Sequence, residues 1–88
     1  MKFTNYFLHT RQRPDRKDIK MEWIEQVYNN AEFEQVQTDG RIRKWSYIAE
    51  AKKHLRIVIL EDKETIHNAF FDRSYIDIKN KSHENNVL

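Results

Sequence analysis

Cysteine is absent from the 88 residues, and glycine and proline occur once each. Without thiols there is no disulfide framework, no thiolate nucleophile and no thiolate metal site. A single glycine excludes a phosphate-cradling glycine-rich loop, and there is no Gly-x-Ser-x-Gly elbow. So few helix and strand breakers imply mostly regular structure joined by short turns. Long apolar runs are also missing. The longest, Ile57-Val58-Ile59-Leu60, falls far short of the roughly 20 residues of a membrane-crossing helix. The leading segment Met1–Leu8 has no apolar core of the signal-peptide kind. These absences predict a cytoplasmic protein with no membrane partner and no nucleotide or thiol-bound cofactor.

A hydrophobic fraction of 39% is enough for one modest core in a chain of this length. The expected organisation is a single domain over residues 1–78, followed by a flexible polar tail over 79–88. The net charge of +2 conceals segregation. Residues 1–20 carry net +4, 21–39 carry −5, 40–56 carry +5, 57–72 carry −3 and the remainder +1. Two basic blocks separated by an acidic one can fold into one basic face, or neutralise each other across the surface.

The periodicity predicts an edge strand over Lys2–Leu8, with Phe3, Asn5 and Phe7 on one side. Ile19, Trp23 and Val27 recur at four-residue spacing, with Ile24 and Tyr28 beside them. That pattern predicts an amphipathic helix of about three turns starting near Asp18 as its cap. The period then changes to two. Phe33–Gln37 and Arg41–Ile48 read as strands around an Asp39-Gly40 turn. Residues 50–54 read as a loop, Leu55–Leu60 as a buried strand and Thr65–Phe71 as the last strand. The expected fold is α+β, an N-terminal helix packed on an antiparallel sheet of about four strands. In the last strand, simple alternation would put Thr65, His67, Ala69 and Phe71 on one face, and Ile66, Asn68, Phe70 and Asp72 on the other.

Two clusters join histidine to arginine. The first holds His9, Arg11, Arg13 and Arg16; the second holds His67 and Arg73. Histidine moves protons near neutral pH, and guanidinium groups hold phosphodiesters. The four histidines, His9, His54, His67 and His83, lack a local partner at a metal-ligand spacing, so no metal is expected. Metal-free RNA cleavage needs little else, because the ribose 2′-hydroxyl is the nucleophile. The protein supplies a base, an acid and cations for the charge on phosphorus. His67 and His9 are the candidate proton-transfer groups, with Arg73 beside them. Arg11, Arg13, Arg16, Arg41 and Arg43 are candidate phosphate contacts, and Trp45 and Tyr47 candidate base-stacking groups. Plainer readings exist for each: Trp45 and Tyr47 as core, Arg73 as an ion pair with Asp72, and His67 as a half-buried, hydrogen-bonded histidine. Because Asp72 alternates away from His67, the partner of His67 must come from elsewhere, and the His9–Arg16 cluster is the candidate.

The order H-x-R-x-R-P-D-R, W-I-E-x-V, D-G-R-I-R-K-W-S-Y-I, L-R-I-V-I-L-E-D and T-I-H-N-A-F-F-D-R resembles a family of small bacterial proteins, common in cyanobacteria and of uncharacterised function. That family in turn resembles the RelE/BrnT-type toxins. The resemblance covers about three quarters of the chain. It implies a metal-independent endoribonuclease or RNA-binding domain of the toxin type, with RNA and a cognate antitoxin as partners. By position, His9, Arg13 and Arg16 fall in the leading motif, Arg41 and Arg43 in the central strand pair, and His67 and Arg73 in the closing motif. The alternative is a non-catalytic module whose basic face holds RNA or an acidic protein. A homodimer formed through the expected edge strand Phe3–Leu8 is a third possibility.

Overall fold

The structure, a computed structural model, describes residues 1–75; the expected end of the domain at 78 and the tail 79–88 lie outside the described residues. The elements are β1 (Lys2–Phe3), α1 (Asn5–Thr10), α2 (Met21–Asn29), β2 (Phe33–Val36), β3 (Ile42–Ile48), β4 (Lys53–Ile59) and β5 (Thr65–Phe71). The strands form one sheet in the order β1-β5-β4-β3-β2. β2 to β5 are an antiparallel meander, and β1 adds two residues parallel to the start of β5. The α+β class holds, with two helices and a five-stranded mixed sheet among the described residues. No helix among them is long and apolar enough to cross a membrane.

The expected strand over Lys2–Leu8 stops at Phe3. The Thr4 hydroxyl accepts the Phe7 N–H at 3.0 Å, which caps and starts α1. Phe3 and Phe7 then stack at 5.3 Å between ring centroids. Aromatic residues four apart satisfy a period of two and a helical turn equally, so the pattern alone misassigned this segment. α2 starts at Met21, with Lys20 rather than Asp18 as its N-cap residue. Ile19 is buried in the connecting segment before it, so the stripe Ile19, Trp23, Ile24 and Val27 still enters the core. The stretch expected as a loop over 50–54 ends earlier, because β4 begins at Lys53.

Both helices contribute to a core on one face of the sheet. Ile42, Ile48, Leu55, Ile57, Ile59, Ile66 and Ala69 supply the strand side. On that face β3 also ties to the end of α2: Lys44 Nζ donates to the Tyr28 carbonyl at 3.0 Å and Ser46 Oγ to the Asn30 carbonyl at 3.2 Å. By alternation, Arg43, Trp45 and Tyr47 of β3, and His54, Arg56 and Val58 of β4, occupy the opposite face.

β5 does not alternate simply. Asn68 pairs with Val58, but Ile59 pairs with Ile66, so a bulge takes up one extra residue at His67–Asn68. Ile66 and Ala69 therefore both join the helix-side core, with Phe71 packed against it. This corrects the alternation expected for the last strand: His67 does not share the face of Ala69 and Phe71. The bulge sets the two consecutive polar side chains, His67 and Asn68, toward the face that carries the arginines.

Candidate nucleic-acid interface

The face away from the helices has a buried centre. Trp45 is 0% exposed there, surrounded by Phe33, Tyr75 and the Arg56 guanidinium. Its indole N–H donates to Asp72 Oδ2 at 2.9 Å. Trp45 is thus a packing residue and is closed to a stacking base, contrary to one of its sequence expectations. Tyr47 is exposed and meets His54 edge-on at 5.2 Å. It remains open to a base.

Asp72 organises this centre. Beyond Trp45, it accepts from the Ser74 N–H at 2.9 Å and the Ser74 hydroxyl at 2.6 Å, and it lies 3.5 Å from Arg56 Nη1. Burial pushes the carboxyl up, but the hydrogen bonds from Ser74 and Trp45 and the charge of Arg56 outweigh it. The net effect holds Asp72 below the ordinary carboxylate value. Burial, and then the like charge of Arg43, lowers the pKa of Arg56, with Asp72 opposing both. The expected Asp72–Arg73 ion pair is replaced by Asp72–Arg56.

Arg56 stacks over Phe70 at 5.0 Å, and Arg16 lies over the same ring at 5.5 Å. Arg16 Nη1 also donates to Asn68 Oδ1 at 2.8 Å. The same amide oxygen accepts the Ala69 N–H at 3.0 Å. The leading cluster therefore does reach the last strand, through Arg16 rather than through His9. Arg16 and Arg73 line one shallow groove with Lys53, Phe70 and Phe71 along the edge of β5. Arg43 Nη1 contacts Gln35 at 3.4 Å, and Arg41 pairs with Asp39 at 3.7 Å beside the turn.

His67 sits on the bulge with the N-terminal segment against it. Its Nδ1 lies 3.1 Å from Thr4 Oγ1, and its ring stacks on Tyr6 at 4.8 Å and 22°. Burial, then the charge of Arg41, lowers its pKa from the ordinary value, which favours the neutral imidazole. His9 is exposed on α1, and its side chain makes no hydrogen bond or ion pair among the described residues. No hydrogen bond or ring contact joins it to His67 among the described residues. Arg13 is exposed on the connecting segment, and Arg11 lies over Phe7 at 5.7 Å. Among the described residues, no group of three or more histidine or carboxylate side chains could hold a metal ion.

Sequence reasoning missed Arg56, Tyr6, Thr4 and Asn68. Arg56 carried a signal: it is the lone cation in the otherwise apolar run Leu55–Leu60. Thr4, Tyr6 and Asn68 carried none, since their importance comes from the bulge and from the turn into α1. No protein-family model matches the chain, and searches of curated proteins and of solved structures found no match.

Proposed function

We propose that this chain is a toxin-like RNA-binding domain that engages the phosphate backbone on the sheet face opposite the helices, with metal-independent cleavage as the activity to test there. One observation carries the reading. Four guanidinium groups, Arg16, Arg41, Arg43 and Arg56, lie on or beside β3 to β5 together with His67 and the exposed Tyr6; Arg16, Arg41 and Arg56 each also meet one carboxylate, Asp15, Asp39 and Asp72, and the exposed Tyr47 lies at the other end of β3 beside His54. Arginine forks suit phosphate oxygens, and exposed tyrosine rings suit unstacked bases. Flat, shallow surfaces of this kind suit single strands better than small molecules.

For cleavage, the pair in contact is His67 with Tyr6. The ribose 2′-hydroxyl supplies the nucleophile, and the arginines stabilise the charge on phosphorus. The test is twofold. Single-stranded RNA should bind wild-type protein with an affinity that falls steeply with salt. RNA incubated in EDTA should be cut by wild type and spared by His67→Ala. Binding without cutting assigns a non-catalytic module. Salt-independent or absent RNA binding removes the reading, and an acidic protein then becomes the partner to seek.

A further inference from the structure

The hydrogen bond between Thr4 and His67 has a direction that can be worked out by counting protons. Thr4 Oγ1 already accepts the Phe7 N–H at 3.0 Å. Its own proton has one acceptor in reach among the described residues, His67 Nδ1 at 3.1 Å. If Nδ1 carried the proton instead, Oγ1 would accept from two N–H groups and the hydroxyl proton would have no protein acceptor among the described residues. That arrangement loses a hydrogen bond that the other keeps. With the hydroxyl donating, the cap, the hydroxyl and the ring nitrogen are all satisfied.

We propose that Thr4 is a positioning residue that fixes the neutral His67 ring as the Nε2–H tautomer, so that His67 offers a hydrogen-bond donor to solvent rather than a proton acceptor. His67 Nε2 has no partner among the described residues and is not among their buried unpartnered atoms. The Tyr6 ring, stacked at 4.8 Å, holds the imidazole plane. The charged and titratable groups facing the ring are Arg41, from the segment leading into β3, and Tyr6, from α1. Thr4, at the β1–α1 junction, and Asn68, next along β5, are uncharged. A cation at Arg41 adds no acceptor that would pull the proton to Nδ1.

The chemical consequence rests on the RNA reading above. An Nε2–H beside Arg41 suits a non-bridging phosphate oxygen, and it cannot abstract the 2′-hydroxyl proton while Nδ1 is held by Thr4. His67 would then stabilise charge on the phosphate, and the role of general base would pass to another group.

Nitrogen-15 imidazole NMR, recorded above the His67 titration, decides the tautomer. Wild type and Thr4→Ser should show Nε2–H at His67. Thr4→Asp keeps an oxygen to cap Phe7 but has no proton to give. It should convert His67 to the Nδ1–H form and shift its titration midpoint upward. An Nδ1–H form in wild type overturns the proposal, and so does an unchanged Nε2–H form in folded Thr4→Asp. The wild-type spectrum alone suffices if Thr4→Asp does not fold. RNA added to the wild-type sample reports separately: an Nε2 resonance that ignores RNA counts against the RNA reading and leaves the tautomer intact.

Discussion

Replacing Asp72 with alanine should cost this domain about 3 kcal/mol. The Trp45 indole N–H, at 0% exposure, would lose its acceptor and stay buried. A buried donor left unsatisfied costs about 1–3 kcal/mol. The two hydrogen bonds to Ser74 are partly exposed and add about 1 kcal/mol. Arg56, with a side chain 17% exposed, would lose its carboxylate at 3.5 Å but keep the faces of Trp45 and Phe70. That loss adds about 1 kcal/mol or more, since the guanidinium is mostly buried and is left without its carboxylate. For a domain of this size, about 3 kcal/mol corresponds to a fall in Tm of about 12–24 °C. Asp72→Asn should cost roughly half as much, because one amide oxygen can still accept from Trp45. Urea unfolding followed by circular dichroism measures both. A double-mutant cycle with Trp45→Phe isolates the indole bond and should show coupling of about 1–2 kcal/mol. A loss below about 1 kcal/mol for Asp72→Ala, or strictly additive losses in the cycle, would refute the idea that this carboxylate holds the second face together.

Three further outcomes are expected. Arg43→Ala should weaken single-stranded RNA binding and reduce the slope of log affinity against log salt by about 0.7; an unchanged slope means that Arg43 touches no phosphate. His67 has a pKa lowered by folding, so the unfolded chain takes up the proton first as pH falls. Wild type should therefore lose stability relative to His67→Gln as pH drops below the ordinary histidine value of about 6.5, and a pH-independent difference between their melts would contradict the burial of that ring. Gly40→Ala should destabilise by about 1–2 kcal/mol, because φ is +89° and an added Cβ would sit 3.2 Å from Glu61 Cβ; a neutral result in thermal melts would show that the β2–β3 turn adapts without strain.

The apolar stripe of α2, the Asp39-Gly40 turn and the strands after it were legible from spacing, because each repeats a local period over several residues. The candidate site was legible only in part. Arg16 reaches the last strand through Asn68 and His67 meets Thr4 and Tyr6, while no hydrogen bond or ring contact joins His9 to His67 among the described residues and Trp45 is buried. A histidine-arginine cluster in a sequence says which groups are available, and a turn of one short helix decides which of them face the same way.

By itself the sequence determined the α+β class, the helix-on-sheet arrangement and the supply of cations. These follow from periodicity and composition, which act over a few neighbouring residues. Only the tertiary structure decided three things. One extra residue at the β5 bulge turned His67 and Asn68 to the arginine face. The Thr4 cap converted an expected strand into a helix and brought Thr4 and Tyr6 to His67. Asp72 drew Arg56 and Trp45 into a buried second face. The Thr4 cap on Phe7 is itself local, but the bulge, the meeting of Thr4 with His67 and the Asp72 centre depend on residues far apart in the chain, which pair only once the sheet register is set, and no local pattern encodes that register.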